Sequence, residues 1–335
     1  DRWYEIGNVI AIVDAMLPTS LWKSQKNEVE IENMKRVHVK DGVAITKFLY
    51  FMKHAFTEDG QLTESARALL HGEDIDEWNT AKLLERYRGE QDGYIEPSFT
   101  TISAYGPNAA LPHYAPTAES HRAIEPKGLY LVDSGGQYFE GTTDITRTIA
   151  MGPITETERK HFTLVLKAML RLGDVIFLEG SSGITLDLAA REVFWREGLN
   201  FNHGTGHGVG FCLNVHERPN AFRYRQAQGR MENHPLHEGN ITSDEPGLYI
   251  EGSHGIRTEN LTLVEKAFEN AFGRFYRLTF LTMAPIDLDA VDFSLMESHD
   301  LELLNQYHAK VYAALAPYFE GARLQWLREA TREVK

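Results

Sequence analysis

The sequence predicts an α+β fold, on three observations. Apolar residues recur at helical intervals in several stretches. Other stretches are β-branched and aromatic, broken by glycine or proline. The two kinds arrive in mixed order, as helices and antiparallel strand pairs sharing one domain would require.

The first helix is expected from Glu30 to about Ala55, where Met34, Val37, Ala44, Phe48 and Phe51 repeat and only Gly42 interrupts. Between Gly128 and Met151, "GLYLVDSGGQYFEGTTDITRTIAM" changes period and reads as two strands and a turn, a hairpin. Thr155 and Glu158 form a capping box ahead of Phe162, Val165, Leu166 and Met169, with Gly173 as the stop. A shorter helix follows from about Leu186 to Glu197, with Ala189, Ala190 and Val193 on one face and Gly198 ending it. "GNITSDEPGLYI" and "GIRTENLTLV" supply two more strands around a loop at Glu251 to His254. Beyond Ala284 the chain turns helical again, with Leu304, Tyr307, Val311 and Leu315 as one buried stripe.

A chain of 335 residues, 42% hydrophobic, can bury a full core as one large domain or two ordinary ones. Its net charge of −14, from 48 acidic against 34 basic residues, argues against a duplex nucleic acid or an anionic membrane surface as partner. The single cysteine, Cys212, excludes an internal disulfide framework and fits a reducing compartment. No apolar run approaches membrane-spanning length. The chain opens on Asp1 with no signal-like segment, and the expectation is that something upstream has been removed.

Four carboxylates stand where a site could form. Asp133 follows the apolar run "GLYLV", and Asp144 lies eleven residues on, in the second arm of the hairpin, so a turn could set both on one sheet face. Glu245 precedes Pro246, which holds its backbone extended, and Glu259 shares a strand face with Arg257. Each alone reads as a turn cap or a surface acid. Together in one buried place they could not all stay ionised without a compensating cation. Two divalent ions would balance about four negative charges, and an oxygen-rich set with one imidazole suits Mn²⁺, Co²⁺, Fe²⁺ or Zn²⁺.

His207 is the natural nitrogen ligand. It lies four residues from His203, the spacing of a zinc-binding helix, but Gly204, Gly206, Gly208 and Gly210 oppose a helix, and no Glu follows His203. Alternating glycines suit an extended backbone passing close to a ligand or another strand.

At these residues the chain resembles the metallopeptidases of the pita-bread fold, and among them the cytosolic, three-domain Xaa-Pro aminopeptidases. "PNAALPHYAP", "LVDSGGQYFEGTTDITRT", "HGTGHGVGFCLNVHERP", "SDEPGLY" and "GIRTENLTLV" carry the resemblance, in the family's order. It implies a curved antiparallel sheet with helices on its outer face. It implies Asp133, Asp144, His207, Glu245 and Glu259 as ligands of a dinuclear centre, usually manganese. His113, His203 and His216 would line the substrate site, Arg257 would support the ligands, and Glu245 would also manage a proton. The reaction implied is hydrolysis of the bond before a proline in second position, through a hydroxide held by the two ions. His203 and His216 would donate hydrogen bonds to the substrate carbonyl and the oxyanion. The implied setting is cytoplasmic, and the implied assembly a homodimer.

The domain expectation follows from the same resemblance. Residues 1–28, with "AMLPTSLWKS", resemble the tail of a preceding domain; residues 29–273 would form the catalytic domain, and residues 274–335 a helical C-terminal extension offering a dimer contact. A prolidase, cutting Xaa-Pro dipeptides, is the nearest alternative. A catalytic fragment that binds metal and turns over slowly is another. The intact set of five ligands argues against a metal-free binding module.

Overall fold

A computed structural model describes residues 16–225 and 234–335. Helices α1 (Pro18–Ser24), α2 (Glu28–Lys53), α3 (Glu64–Leu69) and α4 (Glu77–Gly89) lead into strands β1 (Tyr94–Pro97) and β2 (Ile102–Tyr105). A hairpin of β3 (Leu129–Ser134) and β6 (Ile145–Ala150) follows, with β4 (Gly136–Tyr138) and β5 (Gly141–Thr142) folded out of its turn. Then come α5 (Glu156–Gly173), β7 (Ile176–Leu178), α6 (Gly183–Leu186), α7 (Leu188–Trp195), β8 (Gly206–Gly208) and β9 (Glu217–Phe222). Strands β10 (Ile241–Asp244), β11 (Gly247–Ile250), β12 (His254–Arg257), β13 (Asn260–Asn270) and β14 (Gly273–Phe280) precede α8 (Ser298–Leu315) and α9 (Gly321–Ala330).

The caps are where side-chain chemistry puts them. Thr155 Oγ1 accepts the Glu158 N–H at 3.2 Å and Glu158 reaches back to the Thr155 N–H at 2.8 Å, so two orphan donors at the start of α5 are satisfied reciprocally. Asn27 and Glu30 do the same for α2. Gly42 is needed inside α2, because a Cβ there would stand 2.2 Å from the Met283 carbonyl oxygen.

Strands pair antiparallel throughout the described residues, in sheets ordered β7-β14-β13-β10-β8-β9, β2-β3-β6, β1-β4-β5 and β11-β12. Ala44, Phe48 and Leu83 of α2 and α4 pack on Tyr130, Val132 and Ile149 of the three-stranded sheet. Because side chains alternate, Asp133 projects from the opposite face of β3, away from those helices. The second core joins Phe162, Val165 and Met169 of α5 to Phe194 of α7 and to Leu304, Val311 and Leu315 of α8. No helix among the described residues is long and apolar enough to cross a membrane.

The structure bears on three expectations. Residues from Pro18 onward pack on the body of the chain: Gln25 bridges Asn240, the Lys26 N–H donates to Gly239 O at 2.9 Å, and Lys26 Nζ reaches Val209 O at 2.6 Å and Glu217 at 2.8 Å. Packing contacts therefore cross the boundary expected at residue 28, and residues 1–15 lie outside the described residues. The segment from residue 274 begins as strand β14, not helix, because it pairs with β13 from Asn270↔Gly273 to Thr262↔Phe280. Each long strand around the Glu251 loop is divided, into β10 and β11 and into β12 and β13.

Candidate active site

Two hairpins supply the carboxylates. In the first, Asp133 pairs with Thr146, and Asp144 lies two residues before Thr146, so all three side chains share a face. In the second, the register is unchanged across the division: Asp244 opposes Asn260 and Gly247 opposes Arg257, so Glu245 falls opposite Glu259. Pro246 has no N–H for a ladder bond. Freed from the ladder, Glu245 N–H donates to Thr205 O at 2.8 Å and Glu259 N–H to Thr146 O at 3.1 Å. The division thus ties the second hairpin to the segment entering β8 on one side and to the first hairpin on the other.

His207 comes from β8, an extended strand between β9 and β10. Its glycines are steric requirements: a Cβ on Gly206 would lie 1.8 Å from Ser243 O, and one on Gly208 2.4 Å from Glu217 O. His207 Nδ1 contacts Gly208 O at 2.9 Å, and since a carbonyl only accepts, Nδ1 carries a proton there. Nε2 then faces Asp144 Oδ2 and Glu245 Oε1, each at 3.4 Å.

These groups oppose one another electrostatically. Burial, with Asp133 and Glu245 near, pushes Asp144 up to about 7. Burial also raises Glu245 and Glu259. Burial disfavours charge on His207, but the Asp144 hydrogen bond and the Glu245 charge outweigh it and hold the imidazole up at about 9. Ligand atoms of Asp144, His207 and Glu259 lie within 4.8 Å of one another, and Asp133 Oδ1 is buried with no hydrogen-bond partner. A donor set of four carboxylates and one imidazole with an orphaned carboxylate oxygen fits divalent cations.

The other expected residues surround a cavity of about 590 Å³ that also contains the five. His113 and His216 are exposed on its wall, the His216 ring meeting His207 edge-on at 4.3 Å between centroids. Desolvation by the cavity wall and the neighbouring His207 push His216 down to about 4. Arg257 holds Asp133 Oδ2 at 2.6 Å and Thr146 Oγ1 at 3.1 Å, and Thr146 donates to Glu259 Oε2 at 2.7 Å. His203 has a partner at each ring nitrogen. Its Nδ1 donates to Gly204 O at 2.7 Å, and Nε2 meets the Tyr249 hydroxyl at 2.9 Å, which itself accepts from Arg257 Nη1 at 2.7 Å. With burial pushing it down to about 3, His203 is neutral and both nitrogens are engaged.

Thr146, Tyr249 and Ser243 went unnoticed in the sequence. Ser243 Oγ accepts the His207 N–H at 2.9 Å and donates to Glu245 Oε1 at 3.0 Å. Strand parity was the available signal, since Thr146 lies two residues from Asp144, and Ser243 and Tyr249 two and four from Glu245. The buried Asp187–Arg191 pair, 2.6 Å apart, was equally silent; Arg191 donates to His203 O at 2.8 Å and Asp187 accepts from Thr205.

The model of metallopeptidase family M24 matches residues 32–266, and that of the C-terminal region of peptidase M24 matches residues 274–334. A probable Xaa-Pro aminopeptidase P of Tuber melanosporum is 41% identical over 334 residues, covering 98% of this chain and 51% of the relative. One of Neurospora crassa is 41% identical over 314 residues, covering 92% and 44%. The chain spans about half the length of the curated relatives it matches. Among solved structures, X-prolyl aminopeptidase from Caenorhabditis elegans, described as a cytosolic enzyme with a di-nuclear active site, superposes with a TM-score of 0.85 at 34% identity, covering 96% of this chain and 50% of that one. Prolidase from Pyrococcus furiosus reaches 0.60 at 27% identity, covering 79% and 67%. With the family model matched over well more than half its length and this architecture around the site, the chain has the pita-bread fold and belongs to metallopeptidase family M24.

Proposed function

We propose that the chain is a metal-dependent aminopeptidase that removes the residue preceding a proline in second position. The observation that carries the reading is the meeting of Asp133, Asp144, Glu245 and Glu259 with His207 Nε2 in one cavity. These five would hold two divalent ions, manganese by family resemblance; when bound, such ions supply a nucleophile at neutral pH and polarise a carbonyl. Glu245, raised by burial and fixed by Ser243, is suited to hold a proton during bond cleavage. His216, neutral and open to the cavity, is placed to hydrogen-bond the substrate carbonyl. Arg257 holds Asp133 in orientation, and His203 holds Tyr249 beside Arg257.

The aminopeptidase reading is favoured over a prolidase by the closer match to the C. elegans X-prolyl aminopeptidase than to the prolidases. It includes a cytoplasmic setting, supported by the lone Cys212 and by that relative's description, and a homodimer, supported by the resemblance. It also includes a division into an M24 unit and a C-terminal region from residue 274. Hydrolysis of an Xaa-Pro-Xaa tripeptide and an Xaa-Pro dipeptide, with and without Mn²⁺, tests it. Mn²⁺-dependent cleavage of the tripeptide is expected. Cleavage of the dipeptide alone would make the chain a prolidase, and equal rates after chelation would end the metal reading.

A further inference from the structure

Glu77 opens α4 and is fully buried. Its Oε1 accepts the Tyr105 N–H at 2.6 Å and Asn108 Nδ2 at 3.0 Å; Oε2 accepts the Tyr114 hydroxyl at 2.7 Å, the Arg122 N–H at 2.7 Å and Asn108 Nδ2 at 3.1 Å. All of these donors lie between the end of β2 and the start of β3, on the connection that carries His113. The same connection is gripped from its other side. A Cβ on Gly255 would stand 1.7 Å from Ala109 O, so the 3₁₀ turn Gly106–Ala110 rests directly on β12, and Arg257 Nη2 reaches Pro112 O at 3.5 Å.

His113 therefore stands between two anchored neighbours. Pro112 is held by Arg257, which also holds Asp133, and Tyr114 is held by Glu77. We propose that Glu77 is a positioning residue whose buried carboxylate fixes this connection, so that His113 meets substrate at a set place on the cavity wall. Asn108 and Tyr114 of "PNAALPHYAP" serve that anchor and not the substrate. The proposal rests on the reading of His113 as a substrate-site residue. A carboxylate suits the task because it only accepts, and five hydrogen bonds converge on it. Glutamine would turn an NH₂ toward donors, leaving some unpaired in a buried place.

The test uses the full chain loaded with Mn²⁺ and an Xaa-Pro-Xaa peptide, comparing Glu77→Gln, Tyr114→Phe, His113→Ala and the double variant Glu77→Gln/His113→Ala. Loss of preorganisation should raise KM about tenfold for Glu77→Gln and for His113→Ala, with kcat changed less. The double variant should be no worse than His113→Ala alone, and metal content should stay at the wild-type level. Wild-type KM in Glu77→Gln, or a double variant showing the product of the two losses, overturns the proposal while the reading of His113 stands. Wild-type kinetics for His113→Ala overturns both. A readout free of turnover is the ring resonance of His113 in histidine-labelled protein, expected to move or broaden in Glu77→Gln and Tyr114→Phe; an unmoved resonance in both overturns the proposal. If Glu77→Gln does not fold, Tyr114→Phe carries the test, with a KM rise of about threefold expected and unchanged KM decisive against it.

Discussion

The two nitrogens of His207 have separate duties, and that separation fixes what its loss should do. Nδ1 is committed to Gly208 O, so the ring cannot rotate without losing a hydrogen bond, and Nε2 is aimed between Asp144 and Glu245. His207→Ala should lower bound Mn²⁺ below the wild-type stoichiometry and abolish most turnover; metal analysis giving an unchanged ratio would remove His207 from the ligand set. The same residue sets a pH dependence. Its folded value of about 9 exceeds the ordinary 6.5, so its contribution to stability is complete below about pH 6.5 and is lost as pH rises through about 9. Asp144, held up at about 7, acts in the same sense: folding favours its protonated form, and stability falls as it ionises. On the proposed reading, bound cations would replace both protons. The thermal midpoint of metal-free chain should fall between pH 6.5 and 9 while that of Mn²⁺-loaded chain does not, so the gap between them widens. A gap that stays constant on titration would contradict this. The expected ligands stand out in the sequence because carboxylates and an imidazole are conspicuous in apolar runs, and the family resemblance sorts them from the other acids. Tyr249 and Thr146 were not, since a tyrosine or threonine in a strand usually reads as packing, and only the folded register shows their hydroxyls meeting His203, Arg257 and Glu259.

At the scale of the element, β8 depends on what its glycines leave out. The alternation in "HGTGHGVG" was readable as an extended segment under close approach, and Gly206 against Ser243 O is that approach. Gly206→Ala must part β8 from β10, a strain of about 2 kcal/mol or more, and it should lower both the urea midpoint and Mn²⁺ affinity because His207 and Ser243 move with the strands. Wild-type values for both would mean that β8 can shift without consequence. Helix α5 is equally plain from its capping box and periodicity, and the long helix α2 from periodicity alone; its Asn27–Glu30 cap shows only in the structure. Strand β14 does carry a readable signal, Tyr276, Leu278 and Phe280 alternating with Arg277 and Thr279, which the expectation of a helical segment from residue 274 passes over. Which strands join which sheet depends on pairings far apart in the chain, and no local pattern encodes them.

For the whole molecule, Arg147 shows how the C-terminal segment bears on the site. Fully buried, it donates to Glu259 O at 2.7 Å and Asn260 Oδ1 at 2.9 Å on the hairpin that carries Glu245 and Glu259, and to Pro285 O at 3.1 Å, Ala284 O at 3.0 Å and the Tyr307 hydroxyl at 2.8 Å beyond it. Tyr307 belongs to α8, whose Leu304, Val311 and Leu315 are wholly enclosed against α5 and its neighbours. The stripe was visible in the sequence; that one of its members ends on the arginine behind Glu259 was not. Helix α8 is therefore part of the core whatever else its outer face contacts. Removing residues 298–335 would take those leucines and valine away, bare the apolar face of α5 that they cover and leave Arg147 short of a partner in a buried place, a loss of the kind that costs several kcal/mol against a stability that is itself small. The shortened chain should lack a cooperative urea transition and bind no stoichiometric Mn²⁺. Tyr307→Phe, which deletes only the hydroxyl, should fold and bind metal but unfold at lower urea by about 1–3 kcal/mol. A shortened chain that unfolds cooperatively at the full-length midpoint would make the segment an appendage, free to serve as an assembly contact alone.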